Sequence, residues 1–303
     1  KYKNKFMSKI PKLRKIINFL IHSFPTLINH PLWKTKRFSP LGRFLKLQLF
    51  FLLGERELCI KWFDKLFLYL KKGDTGLTGN YYFGLHEFYD MAFLIHLIRK
   101  DEFFIDVGAN LGSYSQLASG LCQAKVIAFE PVPKTFIRLE ENIKINHLMG
   151  KVKTRNVALS NEKREKVLFS IDKGPCNSIV DSKYQGRKES VNVSTLDSEC
   201  FSVDPVLIKI DVEGFEENIL RGSSEILLKD SLLAIIIEGQ TKNVNNILSN
   251  FGFEDLNYEP FKRKLKYSGK KTRNKIWIKK EKLEIVKQRL FSAKKRIIYD
   301  QIF

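Results

Sequence analysis

The chain has 303 residues, of which 44% are hydrophobic, and its formal net charge is +20 at pH 7. This length and hydrophobic content suit one large α/β domain with appendages, and no internal repeat or low-complexity segment is visible. Four cysteines without a Cys-x-x-Cys pair argue against a zinc site or a disulfide framework. We therefore expect a protein of the reducing cytoplasm, with peripheral attachment to a membrane left open.

The positive charge is concentrated at the two ends of the chain. Residues 1–54 contain no acid and twelve lysines and arginines, and a second basic block runs from Lys262 to Arg296. Such blocks are typical of contact with an anionic membrane, an anionic glycan or nucleic acid. A lysine-rich composition throughout the proteome is the plainer explanation, and nucleic acid is the least favoured of the three partners.

The first hundred residues predict helices and a hairpin. Prolines divide residues 9–53 into two or three helices, and residues 9–20 alternate cations with apolar side chains as an interfacial helix does. No stretch reaches the ~20 apolar residues that a transmembrane helix needs. Residues 57–63 and 66–71 predict a β-hairpin, and residues 83–99 predict a helix with a broad apolar stripe.

A strand, a glycine loop and a helix follow at residues 103–121. The apolar strand runs into Asp106, and Gly108 and Gly112 then bracket a tight turn, where backbone N–H groups and a helix N-terminus are free to hold a polar ligand. The Gly-x-x-x-Gly spacing differs from the Gly-x-Gly-x-x-Gly of dinucleotide binders. Asp106 would repel a pyrophosphate but would suit the cationic amino-acid end of S-adenosylmethionine, so the loop indicates a methyltransferase.

A second acid follows the next strand. Residues 125–129 predict a buried strand, and Glu130 comes about twenty residues after the glycine loop, the distance at which a nucleotide-binding βαβ unit places a carboxylate on ribose hydroxyls. Each acid alone is explained as the solvated end of a strand. Together, on consecutive strands, Asp106 and Glu130 favour a nucleoside-type cofactor.

Two later strands also end in acids. Residues 206–210 are followed by Asp211 and Glu213, and residues 233–238 end in Glu238. Ligands of open α/β sheets lie beyond the carboxyl ends of the strands, so we expect these acids to face the same crevice as the two earlier ones.

Alternation of strands and helices predicts a mostly parallel, doubly wound sheet of seven strands. The predicted strands are 103–107, 125–129, 152–157, 206–210, 233–238, a strand near 254–265 and 275–279, and stretches 168–180 and 191–193 are also strand-like. The predicted helices are 113–121, 133–146, 215–228, 243–251 and 281–296.

Five ordered motifs resemble the FkbM family of S-adenosylmethionine-dependent methyltransferases. They are residues 104–110, 128–131, 156–160, 194–197 and 208–214, with a further likeness at 79–87. We accordingly divide the chain into a basic helical extension with a β-hairpin (1–74), a methyltransferase domain (75–280) and a basic C-terminal helix (281–303). The resemblance implies a class I, Rossmann-like α/β fold, S-adenosylmethionine as cofactor, and O-methylation of a sugar, glycan or other polyol hydroxyl.

The motifs and the resemblance together give a set of candidate cofactor-binding residues. They are Glu87, Asp106, Gly108, Ala109, Asn110, Gly112, Ser113, Glu130, Pro131, Asn156, Ala158 and Asp211.

Methyl transfer to oxygen requires a residue that aligns the hydroxyl and removes its proton, because the sulfonium methyl is already activated. The candidates are Asp211, Glu213, Glu238 and His86. A carboxylate suits this role only if burial raises its pKa or a metal lowers that of the hydroxyl. One alternative is that Asp211 and Glu238 bind Mg²⁺. The plainer explanation is that Glu213 caps the next helix and that Asp211 holds the loop or the cofactor. We assign no metal ligand.

Two other function classes stay open. The first is a nucleic-acid (RNA) methyltransferase that binds through the basic termini. Against it, Asp211-Val-Glu-Gly stands where base N-methyltransferases usually carry Asp/Asn-Pro-Pro-aromatic, and no Pro-Cys follows that strand. The second is an NAD-dependent oxidoreductase or nucleoside binder, which the missing Gly-x-Gly-x-x-Gly disfavours.

Overall fold

The computed structural model describes most of the chain. The described residues are 29–34, 36, 38–63, 65–74, 76–170 (165–170 as backbone), 186–212, 214–239, 241–267 and 273–303. The helices predicted before residue 29, the strand-like stretch 171–180 and the candidate Glu213 lie outside them. Within the described residues, no helix is both long and apolar enough to cross a membrane.

The strands are numbered in chain order. They are β1 (Glu57–Lys61), β2 (Phe67–Lys71), β3 (Phe103–Val107), β4 (Lys125–Phe129), β5 (Val152–Arg155), β6 (Ala158–Leu159), β7 (Arg164–Ser170), β8 (Lys188–Ser194), β9 (Pro205–Ile210), β10 (Ala234–Glu238), β11 (Phe253–Glu259), β12 (Lys264–Lys266), β13 (Asn274–Lys279), β14 (Ile297–Ile298) and β15 (Gln301–Ile302). The α-helices are Ser39–Leu52, Thr78–Phe83, Phe88–Leu97, Ser113–Gln116, Pro133–Ile145, Leu196–Cys200, Glu216–Arg221, Ser224–Leu228, Lys242–Asn250 and Leu283–Ser292.

The central sheet has the strand order β12-β11-β13-β10-β9-β3-β4-β5. The strands from β10 to β5 pair in parallel, whereas β13 pairs antiparallel to β10, and β11 and β12 continue that antiparallel edge. This confirms the predicted α/β, Rossmann-like fold. The sheet has eight strands rather than seven because Pro260, which cannot donate to a ladder, separates β11 from β12.

The parallel strands β3, β4, β9 and β10 are buried on both faces. All six residues of β9 are buried, and successive residues of β3 face opposite sides: Phe104 joins one hydrophobic cluster and Ile105 the other. A strand with an apolar residue at nearly every position therefore needs cover on both sides. The helices between the strands supply it, and the strand ends stay open at one rim.

The predicted helix over residues 83–99 is wrong at its start. The chain forms the helix Thr78–Phe83, breaks, and begins a second helix at Phe88. The break lies at Gly84, whose φ of +86° favours glycine and whose added Cβ would come within 2.9 Å of the Ile298 side chain. The loop that results carries His86 and Glu87. The predicted helix 215–228 is likewise two helices, Glu216–Arg221 and Ser224–Leu228.

The β1–β2 hairpin, which the sequence predicts, is attached to the helix Pro133–Ile145 and the turn after it. The N–H groups of Phe67 and Tyr69 donate to the side-chain oxygens of Asn146 and Asn142, at 2.7 and 3.1 Å. The asparagine side chains thus accept hydrogen bonds from backbone N–H groups on the open edge of β2, where no further strand of the described residues pairs with the hairpin. The boundaries at residues 74 and 281 stay predictions.

Candidate active site

A cleft of about 870 Å³ opens at the carboxyl ends of the parallel strands β3, β4 and β9. This volume is in the usual range for a small-molecule site. Ten of the predicted site residues line it: His86, Glu87, Gly108, Ala109, Asn110, Ser113, Glu130, Pro131, Ala158 and Asp211. Four others, Asp106, Gly112, Asn156 and Glu238, do not line it and lie beneath or beside it.

The glycine loop is held between its two neighbouring strands. The N–H groups of Gly108 and Ala109 both donate to the carbonyl of Phe129, at 3.0 and 2.9 Å, and the N–H of Asn110 donates to the Glu130 carboxylate at 3.0 Å. The prediction that the loop's N–H groups are free for a ligand is therefore wrong for these three residues. Their donors are used to fix the loop onto β4.

Gly108 is required by the close approach of β3 and β9. Its φ is +76°, and an added Cβ would lie 2.0 Å from the backbone oxygen of Asp211. The N–H of Asp211 in turn donates to the Val107 carbonyl at 3.0 Å. A side chain at this position would consequently force the two strand ends apart, whether or not a ligand is present.

Glu130 is a buried carboxylate at the edge of the cleft. Its two oxygens accept the N–H groups of Asn110 and Val132, each at 3.0 Å. Burial raises its pKa to about 7, although the two N–H bonds oppose the shift. Each carboxylate oxygen accepts more than one hydrogen bond, so Glu130 retains acceptor capacity for a ligand's hydroxyl groups.

Asn156 positions Glu130 from outside the cleft. Its side-chain amide donates to the carbonyls of Glu130 and Pro131, at 2.8 and 3.0 Å. The residue itself lines a separate cleft of about 550 Å³. The structure thus connects Asn156 to the predicted cofactor site through the backbone that follows β4.

Asp106 and Gly112 support the loop from below. Asp106 is 1% exposed, and one of its oxygens accepts the Ser115 hydroxyl at 2.7 Å. Its other oxygen has no hydrogen-bond partner among the described residues, and burial raises its pKa. At Gly112 an added Cβ would lie 2.6 Å from Leu139, so glycine lets the helix Pro133–Ile145 pack closely.

Lys209 is a central residue of the site that sequence analysis did not select. It is 3% exposed, its Nζ lies 2.7 Å from an Asp211 oxygen, and its ammonium sits 4.6 Å from the centre of the Tyr114 ring. Burial opposes ionisation of Asp211, but Lys209 outweighs it and holds the pKa of Asp211 well below its usual range. A lysine within the otherwise apolar strand β9 was the available signal.

A second set of buried polar side chains, Asp90 and Asn274, lies behind Glu87. The Tyr114 hydroxyl donates to Glu87 at 2.7 Å, and the Asn274 amide donates to Asp90 at 3.0 Å. Burial, with Glu87 nearby, raises the pKa of Asp90 to about 8. Asp90 is therefore largely protonated at neutral pH. Neither Asp90 nor Asn274 follows a recognised motif, and they are 184 residues apart.

Glu238 and Asp211 form a carboxyl pair. They share a hydrogen bond, and Arg273 forms an ion pair with Glu238. Burial and the charge of Asp211 raise the pKa of Glu238 to about 7. Because Lys209 and Arg273 already neutralise these carboxylates, the pair does not fit Mg²⁺. The described residues contain no group of three or more His, Cys, Asp or Glu that could hold a metal ion.

His86 is fixed at the cleft by its backbone and its ring. Its N–H donates to the Asn80 side chain at 2.9 Å, and its carbonyl accepts from His30 at 3.2 Å. The ring stacks on Phe83 with centroids 5.6 Å apart, and an added Cβ at Gly79 would lie 2.5 Å from the ring. The imidazole is thereby held in one place while the residue remains solvent-exposed.

The same asparagine connects His86 to the glycine loop. While its side-chain oxygen accepts the His86 N–H, its amide group donates to the hydroxyl of Ser113 at 2.9 Å. Asn80 is completely buried. The cleft therefore combines carboxylates that can hold hydroxyl and cationic groups with a fixed imidazole that can accept a proton.

Comparisons with known proteins agree with this geometry. Residues 106–260 match the methyltransferase FkbM domain family. Hexuronic acid methyltransferase AglP of Haloferax volcanii is 28% identical over 163 residues, covering 52% of this chain and 65% of that protein. Methyltransferase 1 of Beauveria bassiana is 26% identical over 159 residues, covering 45% of this chain and 64% of that protein. The chain thus spans just under two thirds of the length of these relatives.

Solved structures with a similar fold superpose only loosely on this chain. A putative transferase of Pyrococcus horikoshii superposes with a TM-score of 0.38 at 15% identity, covering 80% of this chain and 83% of that one. The fold assignment therefore rests on the strand order described above and not on this superposition.

Proposed function

The chain belongs to the FkbM family of methyltransferase domains, and we propose that it transfers the methyl group of S-adenosylmethionine to a hydroxyl of a sugar or other polyol. The observation that carries the proposal is the position of Glu130. Its carboxylate lies in the cleft, fixed by the N–H of the glycine loop, at the end of the strand next to β3. This is where a nucleoside-binding βαβ unit holds ribose hydroxyls.

The cleft fits the chemistry of this cofactor. Carboxylates of Glu87, Glu130 and Asp211 line it, and the unpartnered oxygen of Asp106 lies beneath its loop. Acidic groups suit a ligand that carries an ammonium and a sulfonium and oppose a pyrophosphate. When bound, S-adenosylmethionine supplies an activated methyl group on a positively charged sulfur.

His86 is the group that we assign to proton removal. Asp211 is held ionised by Lys209 and is a weak base, and Glu238 is not among the residues that line the cleft. Although His86 is accessible to solvent, the atoms packed around its ring desolvate it and lower its pKa, opposed by Glu87 and assisted by Arg273, which favours the neutral imidazole. A neutral imidazole is matched to accepting the proton of a hydroxyl that loses it as the methyl bond forms.

For the acceptor we propose an acidic sugar. Several cations share the cleft with the carboxylates: Lys71, Lys72, Lys134, Arg187, Lys209 and Arg273. Lys209 and Arg273 are paired with Asp211 and Glu238, but a carboxylate-bearing hexose would complement other cations of the lining, such as Lys72 and Lys134. The name of the Haloferax relative, a hexuronic acid methyltransferase, supports the same class. Methylation of RNA is the second candidate, which the net charge of +20 favours.

Labelled methyl transfer separates these candidates. The purified protein is incubated with methyl-labelled S-adenosylmethionine and, in parallel, a hexuronoside, the matching neutral hexoside and total RNA. We expect label on the hexuronoside above the neutral sugar and none on RNA. The His86→Gln variant should bind S-adenosylhomocysteine as the wild type does while turnover falls by roughly 10²–10⁴-fold. Label that appears on RNA and disappears at high salt would establish the second candidate instead.

A further inference from the structure

The helix Ser39–Leu52 presents an apolar face to solvent. Its inner residues Phe44 and Leu47 are each 1% exposed and belong to the core. On the outer side, Leu45, Leu49 and Leu53 follow each other at intervals of four residues, with Leu53 77% exposed. This spacing aligns them along one side of a helix. The outer stripe, defined as Leu45, Leu49, Leu52 and Leu53, is therefore an apolar surface on a helix that is already anchored by its other face.

The segment that carries the stripe is basic. Lys46 is exposed on the same helix, and Lys36, which precedes the helix, is exposed and lies 3.8 Å from Asp300. The whole segment before Glu55 has no acidic residue and twelve lysines and arginines. An exposed apolar stripe in a segment whose charged residues are all cations is typical of a helix that lies in the interface of an anionic bilayer, with leucines in the acyl region and cations at the headgroups.

We propose that this stripe binds the protein to anionic lipid membranes. The helix lies flat on the bilayer, inserts the outer leucines, and keeps its core face on the protein. That core face is fixed to the active-site side of the molecule, because Arg43 donates to the Tyr82 carbonyl at 2.6 Å and Phe44 packs on the Tyr82 ring. Tyr82 belongs to the helix Thr78–Phe83, which leads into the His86 loop. Membrane binding thus fixes the cleft relative to the lipid surface.

Vesicle co-sedimentation of the 303-residue protein tests this surface. The probes are vesicles of phosphatidylcholine alone and vesicles that also contain phosphatidylglycerol. The Leu49→Glu, Leu53→Glu double variant removes the stripe. The matched control carries Phe201→Glu and Leu228→Glu, because these substitutions add the same charge at residues that are 70% and 68% exposed elsewhere on the surface. We expect wild type and control to bind the anionic vesicles preferentially. The double variant should bind about tenfold or more weakly, with an unchanged melting temperature.

Two results would overturn the proposal. Binding of the double variant at the wild-type level, abolished by ~1 M salt, would mean that the basic residues act alone without the stripe. A melting temperature of the double variant several degrees below that of the control, with vesicle binding unchanged, would mean that another part of this chain covers the leucines. Neither result bears on the methyltransferase proposal, which concerns a different surface.

Discussion

Replacing Gly108 with alanine tests whether the contact between β3 and β9 builds the site. Three costs follow from the geometry. A non-glycine residue at a φ of +76° costs about 1–2 kcal/mol. The added Cβ would also lie 2.0 Å from the Asp211 oxygen, so the strand ends must separate, at an overpacking cost of about 1–3 kcal/mol. Loss of the 3.0 Å bond from Asp211 to Val107 adds roughly 0.5–1.5 kcal/mol.

Gly252 provides the matched control for that substitution. Its φ is +82°, but an added Cβ there has nothing within 4 Å. Gly252→Ala should therefore show only the backbone cost, whereas Gly108→Ala should lose about 2.5–6.5 kcal/mol of unfolding free energy in all. Urea unfolding of both variants measures the difference, and calorimetry should show that Gly108→Ala no longer binds S-adenosylhomocysteine. Equal urea midpoints for the two variants would refute the close approach of the strands.

Two further predictions concern groups beside the cleft. The pKa of Asp90 is raised to about 8, so its contribution to stability is present at low pH and is lost as the pH rises through 8. Between pH 7 and 9 the wild type should lose about 1.4 kcal/mol more unfolding free energy than Asp90→Asn, as measured by urea unfolding. The control Asp101→Asn, at an exposed turn, should follow the wild type. Equal losses of unfolding free energy in all three proteins would contradict the raised pKa of Asp90. Gly79→Ala should displace the His86 ring and shift its imidazole NMR signal. Gly42→Ala is the control, because an added Cβ at that helical position has nothing within 4 Å and should leave the signal unchanged. An unshifted signal in Gly79→Ala would show that the ring is not held as described.

Sequence patterns predicted the parts of the fold that local chemistry determines. The strands β3 and β4 lie at the predicted residues, because apolar runs ended by an acid and a glycine turn specify both strand and rim. The helix predicted over 83–99 failed since apolar periodicity continues through Gly84, where only a positive φ interrupts it. Pro260 divided one predicted strand into two for the same kind of local reason.

The rest of the site depends on contacts between distant segments. The sequence could not show that the N–H groups of Gly108 and Ala109 are used by the Phe129 carbonyl, because that bond exists only once β3 and β4 pair. Nor could it show that Lys209 neutralises Asp211, since a lysine in a strand is usually solvated. The motifs thus predicted which strand ends form the site, whereas the ion pair and hydrogen bonds around them depend on how the strands pack together.

Binding of the cofactor product is the most direct test of the central claim that the rim at Glu130 holds a nucleoside with a cationic tail. Isothermal titration of the purified protein with S-adenosylhomocysteine, S-adenosylmethionine and NAD measures it. We predict that both adenosyl compounds bind and NAD does not, and that Glu130→Gln weakens binding by about 1.5–3 kcal/mol through lost charge-assisted bonds to the ribose. Tight binding of NAD without a response to S-adenosylhomocysteine would contradict it.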